Sequence, residues 1–321
     1  MKIVSIALGM LAVLAGAGAL AQEWPSKPIR FVNPNAAGGI GEIVTRVMSP
    51  VLEPRLGQRV LVDSKPGADG IIGAMDIARA APDGYSFLIA PTNVYVVLPH
   101  IRKEIPYDPI EGFVPISLIV DAPIIAVVSN ATPVKNLKEL AGYVREHPGK
   151  LNFGSPGSGS PAHILGEFFG RLNGGMVHVA YKGSPPAGLA IQANEVQLLL
   201  ATVAAIQPQL KGNSVRVIGA LTKARLPEFQ DVPTATESGF PELGEAGNWW
   251  GLSAPKGTDP RIIDRMAAEI RNAIADPNVK KRFADLGMVT IGSTPAELGA
   301  FIRSESARWK RVVEKAGIKP E

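Results

Sequence analysis

Short apolar runs, each followed by a glycine-rich loop and then by a helical pattern, recur along this chain and restrict its fold. The first run covers residues 29–33, its loop covers 34–41, and a helical pattern begins at Glu42. Two further strand patterns, at 60–62 and 85–90, have a short helical pattern between them. Strands that alternate with helices over short connections form a parallel sheet with right-handed crossovers. This part of the sequence therefore predicts an α/β unit.

A proline interrupts the first helical pattern. Pro50 lies among apolar residues at helical spacing, and it lacks the backbone N–H that the helix needs. We therefore expect the helix to be kinked or divided at this residue.

The alternation is broken once and then resumes, which indicates a second lobe. Residues 113–120 and 124–129 form two strand patterns with no long helix between them. The later strand patterns are at 151–154, 177–180, 196–201 and 215–220, and the terminal helical patterns are at 260–275, 277–286 and 295–316. We expect two α/β lobes, each a mostly parallel sheet flanked by helices. The first lobe is predicted to comprise residues 22–121 and 252–321, and the second residues 122–251, with crossings near 120–123 and 249–255.

The N-terminus has the pattern of a secretory signal. Lys2 precedes an apolar run over residues 3–14, and the small-residue motif Ala19-Leu20-Ala21 follows. This order of basic, apolar and small residues predicts export to the periplasm with cleavage after Ala21. A membrane anchor is the competing interpretation, against which the small-residue motif argues. The chain has no cysteine, so neither a lipid anchor nor a disulfide is expected.

Four loops that follow predicted strands carry most of the residues suited to binding an anion. In open parallel sheets, ligands bind beyond the carboxyl ends of the strands, and a helix N-terminus favours an anion. The candidates are Gly38 and Gly39 in the first loop, Thr92 and Asn93 in the second, Ser158, Gly159, Ser160 and His163 in the third, and Lys182 and Gly183 in the fourth. A dinucleotide site is not expected, because Val44 stands where the third glycine of G-x-G-x-x-G belongs.

The sequence offers little for catalysis, metal binding or nucleic-acid binding. There is no G-x-S-x-G motif, and the four histidines show no metal-ligand spacing such as H-E-x-x-H. The formal net charge of +4 and the absence of a long basic run argue against a nucleic-acid partner. We therefore expect no metal and no cofactor. A hydrolase that uses Ser158 or Ser160 with His163 stays open as an alternative, because geometry rather than spacing defines a catalytic triad.

A set of ordered motifs resembles the solute-binding receptors of the tripartite tricarboxylate transporter family, the Bug-type periplasmic binding proteins. The resemblance covers essentially the whole chain after residue 21. The matching segments are, in order, Trp24-Pro25-x-Lys27-Pro28-Ile29, Gly38-Gly39, Lys65-Pro66-Gly67-Ala68, Pro82-Asp83-Gly84-Tyr85, Tyr107-Asp108-Pro109, Phe113-Val114-Pro115-Ile116-Ser117, Leu151-Asn152-Phe153-Gly154-Ser155, Gly157-Ser158-Gly159-Ser160, Tyr181-Lys182-Gly183, Asp231-Val232-Pro233-Thr234 and Trp250-Gly251-Leu252-x-Ala254-Pro255.

This resemblance implies a two-lobed periplasmic-binding-protein (flytrap) fold that closes on a small organic carboxylate. The expected ligand is a mono- or dicarboxylate, aromatic ones included, and the expected partners are membrane transporter subunits or a membrane sensor kinase. The chain is expected to be a monomer and not an enzyme. The resemblance adds Thr202 to the site residues given above. This sequence departs from the usual family pattern at Ala37, Glu42 and Ala190, all near the expected cleft.

Overall fold

The computed structural model describes residues 24–244 and 247–320, so the predicted signal sequence lies outside the described residues. In chain order the strands are β1 (Ile29–Asn33), β2 (Val60–Ser64), β3 (Ser86–Pro91), β4 (Phe113–Asp121), β5 (Ile124–Ser129), β6 (Asn152–Ser155), β7 (Val177–Ala180), β8 (Leu198–Thr202), β9 (Val215–Ala220), β10 (Trp249–Pro255) and β11 (Val289–Thr290). The helices are α1 (Ile40–Leu56), α2 (Ile71–Ala78), α3 (Leu98–Ile101), α4 (Leu137–Glu146), α5 (Pro161–Leu172), α6 (Ser184–Gln192), α7 (Gln207–Lys211), α8 (Pro260–Ala275), α9 (Pro277–Ala284) and α10 (Pro295–Ala316).

The strands form two mixed sheets, which confirms the prediction of a two-lobed α/β fold. A six-stranded sheet has the order β11-β4-β10-β3-β1-β2, and a five-stranded sheet has the order β7-β6-β8-β5-β9. In the first sheet β1 pairs in parallel with both β2 and β3, while β10 runs antiparallel to β3 and β4. In the second sheet β6 pairs in parallel with β7 and β8, while β5 runs antiparallel to β8 and β9. Most strands of each sheet therefore point the same way.

The chain passes between the sheets at two places. β4 ends at Asp121 in the first sheet, and β5 begins at Ile124 in the second, so residues 122–123 make the first crossing. The return comes before β10, because Trp249 already pairs with β4 of the first sheet. The exact division into lobes remains a prediction, and this pairing favours 122–248 over 122–251 for the second lobe.

Buried apolar residues cover both faces of the six-stranded sheet. Alternate residues of β1 point to opposite faces, as a strand requires, so Phe31 and Val32 belong to different clusters. On one face α1, α8 and α9 pack with fully buried Met48 and Phe283. On the other face lies α10, whose fully buried Trp309 belongs to a cluster that continues to α5 beneath the second sheet. The C-terminal helix therefore packs against both lobes.

The first helix is not divided at Pro50. α1 runs from Ile40 to Leu56, although it contains both Pro50 and Pro54. Val44, Met48 and Leu52 lie on its buried face with none of their surface exposed. Tertiary packing of an apolar face supplies most helix stability in proteins, and here it outweighs the missing N–H groups.

No helix within the described ranges combines the length and the hydropathy that are needed to cross a bilayer.

Candidate functional site

A cavity of about 690 Å³ lies where loops from the two sheets face each other. Its first wall comes from the loops after β1, β2 and β3, and its second wall comes from the loops after β6 and β7 and from the end of β8. All of these segments lie at the carboxyl ends of strands, the edge where open α/β sheets bind ligands. The volume is within the range of small-molecule sites.

The cavity brings together seven of the eleven predicted site residues. Those in its lining are Gly39, Asn93, Ser158, Ser160, Lys182, Gly183 and Thr202. The other four, Gly38, Thr92, Gly159 and His163, lie outside the lining. Each of these four instead makes a contact that shapes one of the cavity loops.

Thr92 connects two strands of the first sheet. Its side chain is fully buried, its hydroxyl accepts a 2.7 Å hydrogen bond from the N–H of Trp249, and it lies 3.2 Å from the Trp249 carbonyl oxygen. The next residue, Asn93, lines the cavity, and its Nδ2 donates to the carbonyl oxygen of Asp69 at 2.8 Å. The hydrogen bonds of Thr92 to Trp249 therefore help to position Asn93 in the cavity wall.

Glu42 binds the backbone of the first glycine loop. Gly38, at φ +77°, donates its N–H to Glu42 Oε2 at 2.8 Å, and Arg46 forms an ion pair with the same carboxylate at 2.7 Å. The Gly38 N–H and the Arg46 guanidinium hold the pKa of Glu42 below its usual value. The amide of Gly38 is thus bonded within the protein, whereas Gly39, the N-cap of α1, lines the cavity.

The second glycine loop, residues 155–160, is held by two histidines. Gly159 donates its N–H to His163 Nδ1 at 3.1 Å, and Ser155 Oγ lies 2.7 Å from His178 Nε2. The two imidazole rings stack with their centroids 4.0 Å apart. Ser160 caps α5 by accepting the N–H of His163 at 3.2 Å, and its own hydroxyl donates to the carbonyl oxygen of Gly157 at 2.7 Å.

His163, Glu167 and His178 together have the donor types of a metal site, which was not expected from the spacing of the histidines. One donor atom from each lies within 4.8 Å of the others, a closeness that the separation of residues 163 and 178 along the chain does not reveal. Because His163 Nδ1 accepts the Gly159 N–H, the proton of the neutral ring belongs on Nε2, the nitrogen that faces Glu167 at 3.9 Å. A metal bound at Nε2 would move that proton to Nδ1, against the Gly159 N–H. The observed hydrogen bonds therefore favour a proton over a metal at this nitrogen.

Burial shifts the pKa values of this cluster toward the neutral forms. Burial, and then the neighbouring His163, lower the pKa of His178 to about 3. Burial also raises the pKa of Glu167. The partly buried environment thus disfavours a charge on either group.

The cavity also contains residues that were not predicted as site residues. Trp250, Ile124 and Tyr181 give it apolar and aromatic surface, and Asp69 lies in its first wall. The Asp69 carboxylate forms an ion pair with Arg102 at 2.5 Å. The loop that carries Asp69 follows β2, and this position after a strand is the feature of the sequence that could have indicated Asp69 as a site residue. No feature of the sequence around Ile124 or Trp250 indicated that these two residues line the cavity.

Two α/β sheets with a cavity between their strand ends form the architecture of a two-lobed periplasmic binding protein. Residues 44–318 match the family described as "Tripartite tricarboxylate transporter family receptor". The chain therefore belongs to this family of solute-binding receptors, as the ordered motifs predicted.

Solved structures agree with this assignment. The periplasmic binding protein BugD is 32% identical, with a TM-score of 0.87 over 93% of this chain and 100% of its own. The R. palustris protein Rpa4515, solved with adipate, is 27% identical, with a TM-score of 0.89 over 93% and 100%. MatC (Rpa3494) from Rhodopseudomonas palustris, solved with bound malate, is 28% identical, with a TM-score of 0.84 over 90% and 100%.

Proposed function

We propose that this chain captures a small organic carboxylate between its two lobes and delivers it to the membrane subunits of a tripartite tricarboxylate-type transporter. The observation that carries the proposal is the cavity between the strand ends, with Ser158 and Lys182 on one wall and Gly39 and Asn93 on the other. Hydroxyl, N–H and ammonium groups are the donors that a carboxylate accepts, and such charge-assisted hydrogen bonds are stronger than neutral ones. The structures of two similar proteins, Rpa4515 with adipate and MatC with malate, support this ligand class.

The cavity suits a ligand that has an apolar body as well as a carboxylate. Ile124, Leu200 and Trp250 contribute apolar surface to the lining, and its charged residues are Asp69 and Lys182. Since Asp69 is paired with Arg102, Lys182 supplies the positive charge that is available to an anion. Mono- and dicarboxylates, aromatic ones included, remain the proposed class.

We further propose that the protein works in the periplasm as a monomer, after removal of the signal at Ala21, and that it has no enzymatic activity. The serine contacts support the last point. The Ser160 hydroxyl donates to the Gly157 carbonyl oxygen, and the His163 Nδ1 accepts from a backbone N–H. A serine nucleophile needs its hydroxyl proton directed at a basic nitrogen, so these contacts argue against the Ser160–His163 hydrolase.

A thermal-shift screen tests the proposed function. Acetate, benzoate, malate, adipate and citrate are added in turn to the purified protein, with matched sodium salts of inorganic anions as controls. A carboxylate at one hundred times its dissociation constant is expected to stabilise the protein by about 2.7 kcal/mol. Mass spectrometry of the same mixtures detects any turnover. A screen in which no carboxylate raises the melting temperature above the inorganic controls contradicts the proposal.

A further inference from the structure

His163 connects the second glycine loop to the helix that follows it. Its side chain is 16% exposed, and its Nδ1 accepts the N–H of Gly159 at 3.1 Å. An imidazole nitrogen accepts a hydrogen bond only while it carries a lone pair, which an imidazolium ring has at neither nitrogen. The loop geometry therefore requires a neutral His163.

Gly159 lies where this loop comes close to the first lobe. Its φ is +72°, and a side-chain carbon added there would lie 2.9 Å from Ile101 Cδ1 and 3.3 Å from Leu98 Cδ2. Both apolar residues are in α3, and both are buried. The space between Gly159 and α3 is too small for a side-chain carbon, so a change in the direction of the Gly159 N–H would alter the contact between the lobes.

The surroundings of His163 define its electrostatics. Glu167, on the same helix, lies 3.9 Å from its Nε2, and His178, from β7, stacks on the ring. On the far side of Gly159, the first lobe presents Asp69, which is paired with Arg102. His178 itself stacks on Phe153 with centroids 4.8 Å apart. A proton on one ring of a stacked pair opposes a second proton on the other.

We propose that His163 is a positioning residue whose neutral ring holds Gly159 against the first lobe, so that protonation of this ring loosens the contact and weakens carboxylate binding. This inference rests on the proposed function and names a regulation of the same site. Histidine is the side chain whose charge changes near neutral pH, so acidification is the natural trigger. Ligand binding and protonation of His163 are then linked in opposite directions, because the contact of Gly159 with the first lobe needs the unprotonated ring.

Two substitutions of His163 distinguish its role as a hydrogen-bond acceptor from its role as a titrating group. In His163→Asn the amide oxygen occupies the position that Nδ1 has on Cγ, so it keeps an acceptor for the Gly159 N–H but does not titrate. In His163→Leu the acceptor is lost at every pH. His147→Asn is the matched control, because this exposed histidine bonds the Tyr143 carbonyl oxygen at 2.9 Å and lies outside the cavity lining.

The first readout needs no ligand. Amide hydrogen exchange at Gly159, corrected for the intrinsic pH dependence of exchange, is measured by NMR between about pH 5.5 and 8, the interval in which histidine titrates. His163→Leu is expected to raise the exchange rate about fivefold to tenfold at the upper pH, the equivalent of one lost hydrogen bond. His163→Asn and His147→Asn are expected to stay near the wild-type rate. If the Gly159 amide exchanges as slowly in His163→Leu as in wild type, the proposal is overturned.

The second readout is the dissociation constant, measured by calorimetry for the tightest of acetate, benzoate, malate and adipate. Wild type and His147→Asn are expected to bind more weakly as the pH falls, and His163→Asn is expected to bind with little pH dependence. If carboxylate binding by His163→Asn weakens on acidification as much as binding by wild type does, the proposal is overturned. If no carboxylate binds to wild type, the proposed function fails, while the exchange of Gly159 still decides whether His163 holds the loop.

Discussion

The hydroxyl of Thr92 and the backbone of Trp249 join the end of β3 to the start of β10. The Trp249 N–H donates to Thr92 Oγ1 at 2.7 Å, and Thr92 Oγ1 donates to the Trp249 carbonyl oxygen at 3.2 Å. Both residues are buried, and they are 157 positions apart in the chain. Trp249 is also the first residue of β10, just after the chain has returned from the second sheet. This contact therefore fixes the point at which the second crossing enters the first sheet.

Thr92→Val tests whether Thr92 acts through this contact. Valine has a similar shape but no hydroxyl, so the buried Trp249 N–H loses its partner, which costs about 1 to 3 kcal/mol. We expect urea denaturation to show a free energy of unfolding that is lower by that amount. Thr92→Ser, which keeps the hydroxyl, is expected to lose less. An unchanged unfolding free energy in the valine variant would show that the two hydrogen bonds contribute nothing net.

The serines of the second loop are expected to differ in role, although they are two residues apart. Ser160 caps α5 by accepting the His163 N–H, and loss of an N-cap costs about 1 kcal/mol. Ser158 is exposed and lines the cavity. We therefore expect Ser160→Ala to lower the free energy of unfolding, and Ser158→Ala to weaken carboxylate binding with little change in stability.

Chemical denaturation and calorimetry of both single variants check this division. Ser304→Ala is a control for the loss of an exposed helical hydroxyl, because Ser304 lies on α10, away from the cavity lining. If Ser158→Ala binds the carboxylate as tightly as wild type, the Ser158 hydroxyl is no part of the site.

Lys182 is expected to contribute charge to ligand binding. It lines the cavity in the loop after β7. Lys182→Gln should weaken binding by about tenfold, and it should reduce the salt dependence of the dissociation constant, because ions screen an exposed charge. Lys211→Gln, a change on α7 outside the lining, is the matched control. Equal effects of the two changes would mean that net charge, rather than Lys182, attracts the anion.

Much of the fold could be predicted because the signals are local. α10 begins at Pro295, as predicted, and both α10 and α5 have a capping hydroxyl, Thr294 or Ser160, directly before a proline. The capping hydroxyl accepts a free backbone N–H of the first turn, and the proline already has a helical φ, so neither effect depends on the rest of the chain. The continuity of α1 through Pro50 could not be predicted, because it depends on packing against distant elements.

The site was only partly predictable, for the same physical reason. Strand-end loops can be recognised in the sequence, which is why Ser158, Lys182 and Gly183 were found. Whether a side chain faces the cavity depends on partners far along the chain, such as Trp249 for Thr92. The stack of His178 on His163 likewise arises only when β7 pairs beside β6, so the contact of His178 with the second glycine loop could not be predicted from spacing alone.

Asp121 is the final residue of β4 and lies at the first crossing between the sheets. Burial raises the pKa of Asp121 to about 6, with a smaller contribution from the nearby Glu305, whereas an unfolded aspartate titrates near 3.9. As the pH rises between these values the unfolded chain loses its proton first, so this group makes the protein less stable, and the penalty remains above about pH 6. Asp121→Asn keeps an acceptor oxygen without the charge. We expect it to raise the free energy of unfolding by about 1 to 2 kcal/mol near pH 8 and by much less near pH 4, as measured by urea denaturation at each pH. Asp264→Asn, at an exposed position on α8, should show no such difference, and a gain from Asp121→Asn that is equal at both pH values would contradict the assignment.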